Sequence, residues 1–317
     1  EEMPAPAIAT PADEARFEPN FLPAHWGTPH LLSEIENTGG VNTQAVDTTI
    51  NGTFRYRNEN GGTTAAYGTL VQAWDDDFFG DTLLAEAVVD VNGNWTLSFD
   101  NDVEGFPETG RADVYIVFRT ENGAVGVRDY GGGAYTSTTA IEWPDITDGT
   151  KTAPGWYADW GTIGTSDSTE RAFQVTDSMS RAWAYTNFDL GADCQKQWLE
   201  WRLGKNDVWP NYSRANNTQY IGDLDFDSED VIYHEYGHGH MDWLYDNSDW
   251  PPGAGGSHSI TGHYTEGLAM SEGYATYYSH GVEGYDRQFT YEHPTAGYDF
   301  DSDANWDGVG SANGNSD

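Results

Sequence analysis

Apolar and polar residues alternate in short stretches between about residues 45 and 139. The stretches are "TTINGTFRYRN", "AAYGTLVQAWDDD", "TLLAEAVVDVNGNWTLSFD" and "ADVYIVFRTENGAVGVRDY", and "ENGG" separates the first two. Period-two alternation bounded by Asn-Gly and Gly-Gly predicts half-buried antiparallel strands joined by hairpins. We therefore expect an antiparallel β-sandwich over residues 45–143. Residues 1–44 begin with a Pro-, Ala- and acid-rich stretch typical of an extended leader.

The pattern becomes helical after "IEWPDITDGTKTAPGW", where Pro and Gly predict a domain boundary. In residues 168–188, Phe173, Met179, Trp183 and Phe188 lie near one stripe, as in a helix that packs on a core. Residues 218–226, "TQYIGDLDF", are interpreted as a short strand. The predicted fold class is α+β. The sandwich is followed, over residues 144–317, by a mainly helical domain with a small edge-stranded sheet.

The stretch "VIYHEYGHGHMDW" carries the strongest chemical signal of the chain. Asp227 or Ser228 is placed to cap a helix here. Residues four apart share a helical face, so His234 and His238 can direct ring nitrogens at one ion. Glu235 lies beside that ion, placed to handle a water without ligating the metal, as in the His-Glu-x-x-His zinc motif.

A catalytic zinc needs a third protein ligand, and a second predicted helix offers candidates. Residues 265–281, "TEGLAMSEGYATYYSHG", begin with Thr265 as a possible cap and end with a glycine. Small residues, Gly273 and Ala275, are expected to let this helix approach the first closely. The acidic residues of this helix are Glu266 and Glu272, and each precedes a glycine.

His-Glu-Tyr-Gly-His followed by Ser-Glu-Gly-aromatic-Ala resembles the gluzincin class of zinc metallopeptidases. The resemblance implies a zincin-like domain that hydrolyses peptide bonds, with zinc held by His234, His238 and Glu272. It makes Glu235 the general base; Glu266 is the alternative third ligand. Many gluzincins carry Asp where this chain has Thr276, and they extend further past the third ligand. We therefore expect either a minimal domain or one that lacks a C-terminal part.

A metzincin pattern fits less well, because it needs Gly and then His or Asp where this chain has Met241 and Leu244. His240, two residues past the second motif histidine, is expected at the surface or behind the ligands.

The reaction also needs a donor for the tetrahedral oxyanion. The candidates flank the third-ligand helix: His258, His263, Tyr264 and Tyr285. The strand at residues 218–226 is expected to hold an extended substrate by edge pairing, and the choice between endo- and exo-cleavage stays open.

The sandwich carries a resemblance of its own. "DVNGNWTL", residues 90–97, resembles the strand junction of transthyretin-like or carboxypeptidase-regulatory-like modules.

The net charge of -38 repels nucleic acid and anionic lipid surfaces, so neither is expected as a partner. It also predicts a salt-rich environment or bound cations, Ca²⁺ first among them. Residues 299–308, "DFDSDANWDG", place Asp303, Asn305 and Asp307 at the first half of an EF-hand spacing, without the Glu at its twelfth position. Further acidic runs lie at residues 74–81 and 223–230.

We expect a secreted protein whose signal peptide is absent or already removed, acting on a peptide or protein. No run is long and apolar enough for membrane insertion. The single cysteine, Cys194, excludes an intrachain disulfide, and the sequence leaves the oligomeric state open. Two alternatives stay open: a non-catalytic, calcium-stabilised binding or adhesion protein, and a zinc esterase or deacetylase.

Overall fold

The computed structural model describes residues 47–57, 62–77, 80–102, 110–157, 167–192, 194–205, 207–246, 250–256, 258, 264–283, 289–293 and 298–302. The expected leader lies outside these residues. So do the calcium candidates Asp303, Asn305 and Asp307, and two of the oxyanion candidates, His263 and Tyr285. No helix within the described ranges is long and apolar enough to cross a membrane.

Two four-stranded sheets occupy the N-terminal half. The first is built around β1 (Thr48–Arg57), which pairs antiparallel with β2 (Thr63–Ala65) and β5 (Asn94–Phe99), and parallel with β9 (Gly149–Tyr157). The second contains β3 (Leu70–Asp75), β4 (Thr82–Val88), β6 (Val114–Arg119) and β8 (Thr136–Thr138), in the antiparallel order β4-β3-β6-β8.

Alternating burial explains why these two sheets pack face to face. In β5 and β6 every second side chain is buried, which is the pattern of a sheet with one covered face. Phe54 of the first sheet stacks on Phe118 of the second, with ring centroids 3.8 Å apart. Trp95 and Trp156 stack beside them. Aromatic side chains thus supply much of the apolar contact between the sheets.

A third sheet joins the two halves of the chain. Its strands are β7 (Val125–Arg128), β10 (Gln197–Glu200), β11 (Asn211–Ser213) and β12 (Thr218–Tyr220), in the order β11-β12-β10-β7. β10 runs parallel to both of its neighbours, and β11 is antiparallel to β12.

The predicted strand at residues 218–226 is present, but it is shorter than expected and does not lie at the sheet edge. The strand ends at Tyr220, and Asp223–Asp225 form a 3₁₀ turn. β12 has a partner on each side, so the backbone groups at this edge of the sheet belong to β11.

The described residues contain three α-helices, so the structure is compatible with the α+β class, although strands dominate. They are α1 (Asp167–Ala184), α2 (Glu229–Leu244) and α3 (Glu266–Glu283). A π-helical turn, Tyr185–Asp189, extends α1, and β13 (Phe289–His293) pairs with β14 (Tyr298–Ser302) as a hairpin. A second core lies between the helices and the third sheet; its largest buried side chains are Trp183, Trp201, Tyr233, Tyr236 and Tyr278.

Helix α1 ties the sandwich to the second core. Phe173 packs into the sandwich core, whereas Met179 packs into the second core. Tyr56 of β1 donates a hydrogen bond to the buried Asp177 carboxylate at 2.9 Å, and Arg181 pairs with the same carboxylate. Polar and apolar contacts therefore run continuously between the two halves.

The expected domain boundary at residue 143 falls inside this shared structure. β9 lies beyond it yet returns to pair with β1, and β7 lies before it yet pairs with β10. The Pro and Gly residues that suggested a linker include Pro154 within β9. Proline is tolerated in edge strands, where an N–H is not needed for the ladder. The sandwich pairings within residues 45–143 are antiparallel, as expected, and parallel pairing enters where β9 joins β1.

Candidate metal centre

Helix α2 presents both motif histidines on one face. Ser228 occupies its N-cap position. Glu229 and Asp230 lie in the first turn, where negative charge interacts favourably with the positive end of the helix dipole. The rings of His234 and His238 stand nearly perpendicular, with centroids 4.8 Å apart. The four-residue spacing thus places two imidazoles side by side, as expected from the sequence.

Helix α3 carries the carboxylate that meets these histidines. The predicted cap is present, since the backbone N–H of Leu268 donates to Thr265 Oγ1 at 3.2 Å. The helix ends at Glu283, two residues past the glycine expected to stop it. Leu268, Ala275 and Ser279 are buried, and Glu272 shares their helical face by its spacing. Ala275 and Ser279 of this face contact α2.

The two helices approach each other closely at Gly237. A Cβ atom there would lie 3.0 Å from Ala275 Cα and 3.1 Å from Tyr278 Cβ. Gly273, which was expected to permit the contact, instead faces open space. Ala275 does lie in the interface, as expected. A side chain at position 237 would therefore press on α3, and glycine leaves this contact unstrained.

Three donor atoms converge between α2 and α3. Glu272 Oε2 lies 3.1 Å from His234 Nε2 and 3.6 Å from His238 Nε2. Each residue offers a ligand atom within 4.8 Å of the other two. Two zinc bonds of about 2.1 Å that meet at a tetrahedral angle place their donors roughly 3.4 Å apart. Both the spacing and the nitrogen and oxygen chemistry of the three side chains therefore fit a zinc ion.

The alternative third ligand, Glu266, lies in the first turn of α3 and is exposed. It is not part of the group that could share an ion with the histidines within the described residues.

The environment of Glu272 favours its ionised form. Burial alone would raise its pKa, but hydrogen bonds and charge interactions with His234 and His238 outweigh burial and lower the pKa overall. A carboxylate that stays ionised in a partly buried position is the state that binds a divalent cation.

Glu235 has the opposite electrostatic character. It is buried, and its Oε2 atom has no hydrogen-bond partner among the described residues. Burial raises its pKa to about 7, and the negative charge of Glu272 adds to the rise, while His234 and His258 oppose it. A carboxylate with a pKa near neutrality can take up and release a proton at physiological pH.

Two of the four oxyanion candidates lie in the described residues. His258 Nε2 is 3.2 Å from Glu272 Oε2, and its side chain is 39% exposed. Tyr264 is 46% exposed, and its ring centroid lies 6.1 Å from that of His258. His258 therefore lies directly beside the Glu272 carboxylate, and Tyr264 lies next to His258.

Sequence reasoning missed three groups that contact the histidines. Ser271 Oγ lies 3.2 Å from His238 Nδ1, and Thr276 Oγ1 lies 3.4 Å from His234 Nδ1. The Trp250 ring lies 6.2 Å from that of His238. Thr276 was visible in the sequence only as a departure from the gluzincin pattern. Ser271 directly precedes Glu272 on the same helix, and this neighbouring position was the sequence signal that could have identified it.

His240 was expected either at the surface or behind the ligands, and it is not at the surface. It is 2% exposed and packs against Tyr278, and its Nδ1 lies 2.7 Å from the Tyr274 hydroxyl. Burial lowers its pKa to about 4. It lies in the aromatic interface between α2 and α3, because a two-residue step turns a helical side chain well away from the ligand face.

A second group that could hold a metal ion lies in the sandwich, at residues that the sequence analysis does not single out. Asp47, Asp100 and Asp102 have carboxylate oxygens within 4.8 Å of one another. The acidic runs at residues 74–81 and 223–230 form no comparable group in the parts of the chain that the structure describes.

Residues 176–316 match the family model described as the mycolysin C-terminal domain. The match covers less than half of the 317 residues, and it includes α2 and α3 entirely. It relates this part of the chain to secreted metallopeptidases. None of the curated proteins matches the chain.

Solved structures show only weak likeness. A 9R-lipoxygenase from Cyanothece is 14% identical with a TM-score of 0.29, over 63% of this chain and 33% of its own. The major plantain pollen allergen Pla l 1 is 17% identical with a TM-score of 0.21, over 37% and 98%. The dioxygenase domain of a Streptomyces carbohydrate-binding fusion is 16% identical with a TM-score of 0.20, over 37% and 82%. The chain spans about a third of the lipoxygenase, and these scores support no inference about function.

Replacing Gly237 by Val should separate α2 from α3. The added side chain meets Ala275 and Tyr278, so we expect a loss of about 1–3 kcal/mol in the free energy of unfolding. Gly273→Ala is the matched control, because that helical position faces open space; it should be neutral or stabilising by up to about 1 kcal/mol. Urea unfolding of both variants measures the difference. Equal stability of the two would contradict the close approach at Gly237.

The stability of the metal-free protein should depend on the ionisation of Glu235. Its folded pKa of about 7 lies above the ordinary value of 4.5, so protonation stabilises the fold at low pH and this contribution is lost as pH rises toward 7. Glu235→Gln should therefore be more stable than wild type at pH 8, by up to about 3 kcal/mol, and the gap should close toward pH 4.5.

Thermal or urea unfolding in chelator across this pH range measures the gap. Glu266→Gln, at an exposed position, serves as the control and should show none. A gap that is absent at pH 8, or that widens as pH falls, would contradict the assignment of a buried, proton-accepting carboxylate.

Proposed function

We propose that this chain is a secreted, zinc-dependent hydrolase that cleaves peptide bonds. In this proposal His234, His238 and Glu272 hold the zinc ion, and Glu235 is the general base. The observation that carries it is the convergence of the three donor atoms beside a buried carboxylate whose pKa lies near neutrality. The match to a domain of secreted metallopeptidases supports the same reaction class.

Zinc, when bound, would supply Lewis acidity that polarises the scissile carbonyl and makes water more acidic. The other steps fall to side chains of this chain. Glu235 would accept a proton from the attacking water, because its pKa near 7 leaves much of it ionised at neutral pH. The same carboxyl would then deliver the proton to the leaving amine. Its Oε2 atom, which has no hydrogen-bond partner among the described residues, is the atom available for this exchange.

His258 is our proposed donor to the oxyanion. It borders Glu272 at 3.2 Å and is partly exposed, so a substrate carbonyl can reach it. Tyr264 is the second candidate, from a position next to His258. An extended peptide would pair with β11 rather than with β12, since β11 forms the edge of the third sheet.

The proposal is tested by zinc content and peptide hydrolysis in four proteins. Wild type should bind one zinc ion and cleave casein or a fluorogenic peptide. Glu235→Gln should keep zinc and lose activity by a factor of about 10²–10⁴, because only the proton acceptor is removed. Glu272→Gln should lose zinc, and Glu266→Gln should keep both zinc and activity, since that side chain lies outside the ligand group.

Zinc loss in Glu266→Gln with retention in Glu272→Gln would overturn the ligand assignment. Wild type that neither binds zinc nor cleaves peptide would favour the calcium-stabilised binding protein. Zinc binding with cleavage of esters or acetylated substrates alone would favour the esterase or deacetylase.

A further inference from the structure

Two hydroxyl groups of α3 face the proposed ligand histidines on the side away from Glu272. Ser271 Oγ lies 3.2 Å from His238 Nδ1, and Thr276 Oγ1 lies 3.4 Å from His234 Nδ1. The other ring nitrogen of each histidine, Nε2, is the one near Glu272. One helix thus supplies the carboxylate ligand and a polar contact to each imidazole.

A hydroxyl can accept a hydrogen bond from Nδ1–H or donate one to Nδ1, so each contact fits either ring tautomer. A histidine that binds a cation through Nε2 carries its proton on Nδ1. In that tautomer the hydroxyl oxygen accepts a hydrogen bond from Nδ1–H, and the Nε2 lone pair is free and pointed toward Glu272. A hydroxyl also carries no charge, unlike a carboxylate in the same place. It orients the ring but donates less electron density to it, so the histidine is a weaker ligand and the cation keeps more of its Lewis acidity.

We propose that Ser271 and Thr276 are positioning residues that orient His238 and His234 and stabilise their metal-binding tautomer, and that their neutrality keeps zinc affinity below what a carboxylate partner would give. This inference rests on the proposed function. It concerns the residues that contact the histidines rather than the ligands themselves.

The two residues should not contribute equally. Ser271 is fully buried, and its contact with His238 is the shorter one. Thr276 is partly exposed, and its contact of 3.4 Å is near the limit for a hydrogen bond. Loss of such a partner typically weakens metal binding by about 10- to 100-fold. We expect Ser271→Ala toward the upper end of this range and Thr276→Val toward the lower end.

The experiment measures zinc dissociation constants of the full chain by competition with a chromophoric chelator. Thr276→Ser, which keeps the hydroxyl, should retain wild-type affinity. Thr276→Asp should bind zinc about 10-fold more tightly than wild type, because a carboxylate accepts a stronger hydrogen bond from Nδ1–H. The visible absorption bands of the cobalt-substituted protein should shift in Thr276→Asp, a change that a purely structural role would not produce.

Ser279→Ala is the matched control. Ser279 is also a fully buried serine of α3, and it donates a hydrogen bond to the backbone carbonyl of Asp230 on α2 at 3.1 Å. Its loss removes a contact between the same two helices without touching a histidine, so zinc affinity should not change.

Unchanged affinity in Ser271→Ala and Thr276→Val, or equal weakening in Ser279→Ala, would overturn the positioning role alone. Weaker zinc binding in Thr276→Asp would overturn the argument from neutrality. Wild type that binds no zinc would overturn this inference together with the proposed function, so the two failures are distinguishable.

Discussion

The candidate centre depends on the close approach of α2 and α3 at Gly237. This glycine lies between the two motif histidines, and a Cβ atom there would lie only 3.0 Å from the backbone of Ala275. The contact brings Glu272 within 3.1 Å of His234 Nε2, although the two residues are far apart in sequence. A wider spacing would leave two histidines on one helix and an isolated carboxylate on another, which could not share an ion.

Two neighbouring carboxylates differ in character because their surroundings differ. Glu235 is buried without a partner for one oxygen among the described residues, so its pKa rises to about 7. Glu272 interacts with two imidazoles, and its pKa falls. Because the two pKa values differ, Glu235 is suited to exchange protons and Glu272 is suited to remain ionised. Solvation and charge proximity produce this difference, and both depend on how the helices pack.

The sequence predicted the local features of the site and missed those that depend on packing. Helix periodicity predicts that the two histidines share a face and that Ala275 is buried. The residue type at the start of the helix predicts the Thr265 cap. Helix periodicity does not say which face of one helix meets which face of the other. In the structure Gly237, and not Gly273, is therefore the glycine at the close contact between the helices. His240 is buried among aromatic side chains.

The same limit applies to the fold. Alternation predicted the strands of the sandwich, but pairing between distant strands leaves no local signal, so the parallel β1–β9 and β7–β10 ladders were not foreseen. These ladders, with α1, make the sandwich part of the scaffold that holds the helices.

X-ray absorption at the zinc K-edge, on protein purified without added metal and then given one equivalent of zinc, tests the central claim most directly. We expect one bound zinc ion with two imidazole nitrogens and oxygen donors as nearest neighbours, at about 2.0–2.2 Å. A sulfur neighbour, which only Cys194 or a methionine could supply, or a spectrum of zinc ligated by water alone, would contradict the convergence of His234, His238 and Glu272 on one ion.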